Sequence, residues 1–179
     1  AQFKYSAFPK LSDMAYLAAM VKNSKDLQLP AGRVSVFLGD DFVGTSDIDN
    51  IGPGETFDLF LGADENVKVK REQIEKKTDD VIIGNIPSPN RKTTFKYKIT
   101  VENYKSKKIN FELFEAMPVS QDERIKVKIE QVSLEPKTKD FKDKPGIWRW
   151  EFELDPQAKK EITYAMIVEH PRNMQVAGL

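Results

Sequence analysis

The chain has 179 residues, 40% hydrophobic and 31% charged, so it can bury the core of one large domain or two small ones. Its 28 lysines and arginines balance its 28 aspartates and glutamates, which argues against bulk electrostatic binding of nucleic acid or anionic lipid. Because there is no cysteine, disulfides, thiolate metal sites and cysteine nucleophiles are excluded, and the cellular compartment stays open. No apolar run approaches the roughly 20 residues of a membrane-spanning helix, so we expect no membrane insertion.

Residues 1–90 are predicted to form an N-terminal β unit. The chain begins abruptly inside a predicted strand at 3–8, as a fragment of a longer protein would. Residues 15–21 favour a helix by propensity, but their brevity and strand-like neighbours favour a buried strand. The segments 33–38 and 42–43 flank the turn residues Gly39-Asp40-Asp41, which predicts a β-hairpin.

Two further strands are predicted at 56–61 and 67–71, separated by a loop at 62–66. Residues 79–92 are predicted to cross between two β units, with a short edge strand at 81–83, because Pro87 and Pro89 lack the amide that a central strand donates. The boundary between the units is therefore placed at residue 90.

Residues 91–179 show the clearest strand pattern. Apolar and polar residues alternate strictly from Phe95 to Glu102, and the alternation recurs at 125–130 and 148–154. Strands are predicted near 93–103, 108–115, 124–132, 147–154 and 160–169, with prolines and glycines in the links. This spacing predicts an all-β fold of two packed β units, the C-terminal one an immunoglobulin-like β-sandwich.

The apolar face of each alternating strand is expected to form the core. Trp148 and Trp150 share one face with Phe152 and Leu154, so the two indoles are predicted to be core residues rather than a platform for sugars or bases. The predicted core residues are Phe95, Tyr97, Ile99, Val101, Phe111, Leu113, Ile125, Val127, Ile129, Trp148, Trp150, Phe152, Leu154, Ile162, Tyr164, Met166 and Val168.

No residue is predicted to be catalytic, to bind a cofactor or to hold a metal. His170 is the sole histidine; it directly precedes Pro171, and no Gly-x-Ser-x-Gly elbow accompanies it.

The acidic stretch 40–50 could offer oxygen ligands to calcium, but it lacks the spacing of a calcium loop and is typical of turns. Gly52-Pro53-Gly54 is not followed by the Lys-Ser/Thr of a phosphate loop. Glutamates at 65, 72 and 75 are interleaved with the basic residues Lys68, Lys70, Arg71, Lys76 and Lys77, which predicts a solvated face rather than a nucleic-acid site.

Several short sequence segments, taken in order along the chain, resemble those of a known family. The series comprises residues 29–37, 42–44, 53–55, 61–64, 67–71, 97–103, 117–120, 146–150 and the last strand running into His170-Pro171. It resembles the C-terminal domain of mucoidy-inhibitor-A-like proteins, a domain of unknown function in bacteria and archaea. The resemblance implies an N-terminal β domain and a coiled coil ahead of this region, and it offers no agreed catalytic residues.

The expected function is that of a non-catalytic protein-interaction or structural β domain within a larger protein. Its partner would be an unknown protein or a second copy, docked on sheet edges or loops, with no cofactor required. One alternative is a module that binds carbohydrate or an envelope polymer, by analogy with the fold and the family name. A second is an enzyme with a carboxylate site among Asp40, Asp41, Asp47 and Glu55.

Overall fold

The computed structural model describes residues 2–38, 41–83, 86–174 and 176. The described residues form ten strands and one short 3-10 turn at Phe141–Asp143, which confirms the all-β prediction. No helix in this described part is long and apolar enough to cross a membrane. The strands are β1 Gln2–Ala7, β2 Met14–Lys22, β3 Gly32–Leu38, β4 Asp41–Ile48, β5 Thr56–Ile83, β6 Ile86–Asn103, β7 Ile109–Ala116, β8 Lys126–Glu130, β9 Ile147–Leu154 and β10 Lys159–Pro171.

Eight of these strands form one curled sheet in the order β8-β10-β6-β5-β2-β1-β7-β9. Neighbouring strands are antiparallel except β1 and β7, which pair in parallel. Strands β3 and β4 form a separate hairpin. The eight-stranded sheet draws strands from both sides of residue 90, and β6 itself runs across that position. The division into units 1–90 and 91–179 stays a prediction.

A segment after β8 connects the two ends of the curl. The Ser133 amide donates to the Thr163 carbonyl on β10 at 2.9 Å. One residue further, the Leu134 carbonyl accepts a 2.7 Å hydrogen bond from Nε1 of Trp150 on β9. Thr138 then pairs with Arg149, also on β9. The core therefore lies inside the curl, with this segment running from one end strand to the other.

The buried side chains confirm the predicted core. Of the residues expected there, Ile125, Val127, Ile129 and Phe152 are partly buried against the core cluster, and the other predicted residues are buried members of it. Trp150 is only 1% exposed. Residues that the sequence did not single out also join the core, namely Tyr5, Ala7, Ala15, Val67, Val69, Ile109 and Met117.

The ambiguous segment 15–21 lies in β2, as the strand prediction required. The predicted loop at 62–66 is wrong, because β5 runs through it without a break. Leu17 pairs with Gly62 and Ala18 pairs with Phe60, so β5 carries one extra residue, a β-bulge, at this point. Gly62 adopts a φ of +91°, which glycine reaches without steric cost. The turn-type residues thus bend the strand instead of ending it.

The predicted crossing at 79–92 is also wrong, because β5 and β6 pair there as antiparallel strands, and the short strand predicted at 81–83 is the end of β5. Their register is irregular between Asp80 and Ile82, and Pro87 pairs with Ile82 beyond the irregularity. The pairing of β10 with β6 ends at Pro171, which lies opposite Asn90. The prolines therefore occupy an irregular end of β6 that has one neighbouring strand among the described residues, where a missing amide is tolerated.

Candidate functional site

The β3–β4 hairpin forms a two-stranded sheet of its own, with β4 in contact with β5 of the main sheet, and it is anchored at its base. Leu29 and Ile51 exchange two backbone hydrogen bonds of 2.9 Å just outside the hairpin. Next to them, the amide of Ala31 donates to Oδ1 of Asn50 at 2.9 Å. The Asn50 side chain thus fixes the backbone at the base of the hairpin, a local role that the sequence analysis expected of this stretch.

An aromatic pair lies near the far end of this hairpin. The side chains of Phe37 and Phe42 are 60% and 59% exposed. Their ring centroids are 5.5 Å apart in an edge-to-face arrangement. The turn residues Gly39 and Asp40 lie outside the described residues. Exposed aromatic rings held against each other give a rigid apolar contact area, the kind of anchor that dominates protein interfaces.

The enzyme alternative placed a carboxylate site among four acidic residues. The two whose side chains the structure describes, Asp47 and Glu55, each have a separate structural role. Asp47 lies 3.7 Å from Nε of Arg33 across the hairpin, and both side chains are largely exposed. Oε2 of Glu55 accepts a 2.7 Å hydrogen bond from the Gly52 amide and closes a turn before β5. Asp40 is outside the described residues, as is the side chain of Asp41. Among the described residues, no group of three or more histidines, aspartates or glutamates is arranged to hold a metal ion.

The other residues singled out from the sequence have structural surroundings. Nδ1 of His170 lies 2.9 Å from the carbonyl of Pro171, its neighbour in the chain. Trp148 and Trp150 are buried, and their rings pack against each other with centroids 5.9 Å apart. Along β5, Nζ of Lys70 lies 2.8 Å from Oε1 of Glu72, and further ion pairs follow at Lys77–Asp79 and Lys96–Glu75. These pairs agree with the predicted solvated face, but the prediction is wrong for Arg71, whose side chain pairs with the buried Glu115.

One polar cluster inside the curl was missed by the sequence analysis. Arg71 follows Val67 and Val69 at the two-residue spacing of one strand face, so it points to the core side of β5. Glu115 follows Phe111 and Leu113 on β7 in the same way. The parity rule that placed the indoles in the core would have flagged both charged side chains.

The cluster joins three strands through short hydrogen bonds. Oε1 of Glu115 accepts from Nε of Arg71 at 2.9 Å and from the hydroxyl of Tyr164 at 2.9 Å. Nη2 of Arg71 donates to the same hydroxyl at 3.1 Å. The guanidinium also lies over the ring of Tyr97, 3.9 Å from its centroid. The Glu115 side chain is fully buried and that of Arg71 is 19% exposed. Oε2 of Glu115 makes no hydrogen bond within the described residues.

Burial and charge set the protonation of this cluster. Burial, and then the negative charge of Glu115, raise the pKa of Tyr164 well above its ordinary value of 10.0, so the hydroxyl keeps its proton and donates it to Glu115. Burial disfavours the charged form of Arg71, but Glu115 and Tyr164 outweigh this effect and raise the pKa of the guanidinium. The cluster therefore holds a permanent guanidinium beside a neutral phenol.

A cavity of about 180 Å³ adjoins the cluster. Nζ of Lys10, an exposed residue between β1 and β2, donates a 3.3 Å hydrogen bond to the carbonyl of Ala116 at its edge. The cavity is lined by Lys10, Arg71, Tyr97, Ala116, Pro118, Tyr164 and Met166. It thus combines two cationic side chains with two phenol rings and a short apolar wall.

Comparison with known proteins places the chain in a family. It is 24% identical over 176 residues to Protein F37C4.5 of Caenorhabditis elegans. The match covers 94% of this chain and 31% of the worm protein, so the chain spans about a third of that curated relative's length. No solved structure matches. The family described as Domain of unknown function (DUF4139) matches residues 9–172, and the chain therefore belongs to this family.

Proposed function

We propose that the chain is a non-catalytic protein-interaction domain that captures an extended segment of another protein along the outer edge of β3. The observation that carries the proposal is the exposed pair of Phe37 and Phe42 on a hairpin whose strands, among the described residues, pair only with each other. The partner's backbone would add a strand beside β3, and its apolar side chains would contact the aromatic pair.

The β3 edge is open to such an addition. Among the described residues, β3 pairs with β4 alone, so the amides and carbonyls on its other side have no strand partner. Edge strands that avoid pairing with other chains usually carry lysines or prolines. The five residues of β8, at one end of the main sheet, include Lys126 and Lys128. The seven residues of β3 include no lysine and no proline, and their one charged side chain, Arg33, lies near the base of the hairpin and faces Asp47.

The alternative of a carbohydrate- or polymer-binding module has less support. Its main candidates were Trp148 and Trp150, and both indoles are buried in the core. A sugar-stacking platform needs an accessible ring face. The exposed rings at Phe37 and Phe42 meet edge to face and are better suited to apolar side chains of a protein.

The proposal also covers a family relationship and a fold relationship. We propose that the chain is related to the C-terminal domain of mucoidy-inhibitor-A-like proteins, because its short sequence segments occur in the same order. We also take residues 91–179, with β7, β8, β9 and β10, as an immunoglobulin-like unit, on the spacing of its strands and its proline-containing links. In both, a β scaffold would present loops and edges to a partner rather than perform chemistry.

Site-specific photo-crosslinking in cells that express the full-length protein tests the β3 edge. A photo-reactive residue at Ser35 on β3 should yield one discrete adduct with another protein, whereas the same probe at Lys128 on β8 should not. Adding the substitutions Phe37→Ser and Phe42→Ser should remove the adduct. Phe60→Ser, at an exposed phenylalanine of β5, is the matched control and should leave it in place.

Three results would contradict the proposal. The first is an equal adduct from both probe positions, and the second is an adduct that survives the Phe37 and Phe42 substitutions. The third is an adduct with the mass of two copies, because it would identify self-association in place of a different partner protein.

A further inference from the structure

We propose that the cavity beside Arg71 binds a small carboxylate, which enters past Lys10 and is held by the guanidinium. The site is formed by the inward faces of β5, β6 and β10 together with the end of β7, Pro118 and Lys10. It is separate from the hairpin and does not depend on the proposed protein interaction.

The charges around the cavity favour an anion. Lys10 and Arg71 both line it, and the adjacent carboxylate is that of Glu115, which is engaged through Oε1 by Arg71 and Tyr164. The pair of Arg71 and Glu115 is neutral as a whole, so Lys10 gives the site a net positive charge. Because the Arg71 side chain is 19% exposed, its attraction for an anion is screened less than on an open surface.

The guanidinium is oriented before any ligand arrives. Its Nε and Nη2 donate to Glu115 and Tyr164, and its plane lies over the Tyr97 ring. These contacts use two of its five N–H groups and leave three, two on Nη1 and one on Nη2, as remaining donors. A fixed planar donor fork matches the oxygens of a carboxylate, and ordering the fork in advance lowers the entropy cost of binding.

The size of the cavity limits the ligand to a short chain. Its volume of about 180 Å³ is below the roughly 300–1,000 Å³ of pockets that enclose drug-sized molecules. Pro118 and Met166 provide an apolar wall that suits a few carbon atoms. A short-chain carboxylic acid fits this description, and so does the terminal carboxylate of a peptide.

Methyl NMR of the full chain, labelled at the methionine methyl groups, tests the proposal directly. Met166 lines the cavity and reports on occupancy, whereas Met14 and Met20 lie on β2 and serve as internal references. Butyrate at constant ionic strength should shift the Met166 resonance saturably. Butyramide, which has the same shape without the charge, should not. A tripeptide with a free terminal carboxylate should also bind, and its amidated form should not. If the tripeptide binds more tightly than butyrate, the natural ligand is a peptide terminus; if butyrate binds more tightly, it is a free short-chain acid.

Substitution at Lys10 tests whether the cavity binds an anion or whether Arg71 serves only to pair with Glu115. Lys10 is exposed, so Lys10→Gln should leave the fold intact while it weakens butyrate binding about fivefold. Lys10→Arg should retain the affinity. Lys22→Gln, at an exposed lysine of β2, is the control and should not change it. No Met166 shift with either carboxylate, equal shifts with the uncharged amides, or unchanged affinity in Lys10→Gln would overturn the proposal.

Discussion

The hydroxyl of Tyr164 on β10 donates a 2.9 Å hydrogen bond to Oε1 of Glu115 on β7, although four strands lie between β10 and β7 in the order of the sheet. The contact therefore spans the interior of the curl rather than following the sheet. Arg71, on one of the intervening strands, bonds to both partners. The curvature of the sheet and this polar cluster depend on each other.

Removing Glu115 should destabilise the fold strongly. Glu115→Ala leaves the guanidinium of Arg71 and the hydroxyl of Tyr164 without their buried acceptor, and breaking such a pair costs about 3–5 kcal/mol. Tyr164→Phe removes one hydroxyl while the ring stays packed, and should cost only about 1–2 kcal/mol. Urea denaturation measures both. The double variant Arg71→Met, Glu115→Leu should recover most of the loss, because it removes both charges together.

Equal free energies of unfolding for Glu115→Ala and the native chain would show that the cluster contributes nothing to stability. A double variant less stable than Glu115→Ala alone would show that Arg71 has a role other than pairing with that carboxylate.

The sequence was sufficient to predict which side chains face the core wherever apolar and polar residues alternate regularly. The alternation from Phe95 to Glu102 and from Trp148 to Leu154 predicted the strand faces, and both indoles are buried as that parity requires. It failed where a strand contains turn-type residues. Gly62 forms a bulge within β5, and Pro87 lies near an irregular strand end, because pairing with neighbouring strands outweighs local propensity at both places.

The polar cluster could have been predicted in part. The parity of Arg71 and Glu115 marks them as inward-facing charges, which need partners. Their pairing, and the contact with Tyr164, depends on how far the sheet curls. No local pattern encodes that distance, because it results from the packing of eight strands.

Truncation of Trp150 should unfold much of the protein. The side chain is 1% exposed, and loss of a buried indole costs about 3–5 kcal/mol, comparable to the whole stability of many domains. Trp150→Phe keeps a ring in the core but loses the Nε1 hydrogen bond to the Leu134 carbonyl. It should cost less in denaturation, yet increase amide exchange between residues 133 and 138. A soluble Trp150→Ala variant with unchanged melting would contradict the burial of this residue.

Two glycines with nearly equal φ angles should respond differently to a methyl group. Gly54 and Gly146 have φ values of +77° and +78°, so alanine is strained at both positions, by about 1–2 kcal/mol. At Gly54 an added Cβ meets nothing within 4 Å, whereas at Gly146 it would lie 2.3 Å from the carbonyl oxygen of Met117. That oxygen belongs to the backbone and cannot move independently. Thermal denaturation should show the larger loss for Gly146→Ala, and similar losses at the two sites would refute the clash.

Asp64 should make stability fall in acid. Partial burial alone would raise the pKa of this carboxyl, but hydrogen bonds from Lys105, Tyr5 and Asn66 outweigh it and hold the pKa far below its ordinary value of 3.8. The folded protein therefore binds this proton less readily than the unfolded chain. The resulting stabilisation is complete above pH 3.8 and is lost progressively as the pH falls toward the folded-state value.

Melting temperatures measured across this acid range test the linkage. The native chain should lose stability steeply below pH 3.8, and Asp64→Asn should be less stable at neutral pH but show a shallower acid slope. Tyr5→Phe removes one donor to the carboxylate, whose oxygen lies 2.7 Å from the hydroxyl. Losing this donor should raise the folded-state pKa of Asp64, so the decline still begins near pH 3.8 but ends at a higher pH and is smaller. In the Asp64→Asn background, Tyr5→Phe should no longer change the acid profile. An acid slope unchanged by Asp64→Asn would assign the pH dependence to other carboxylates.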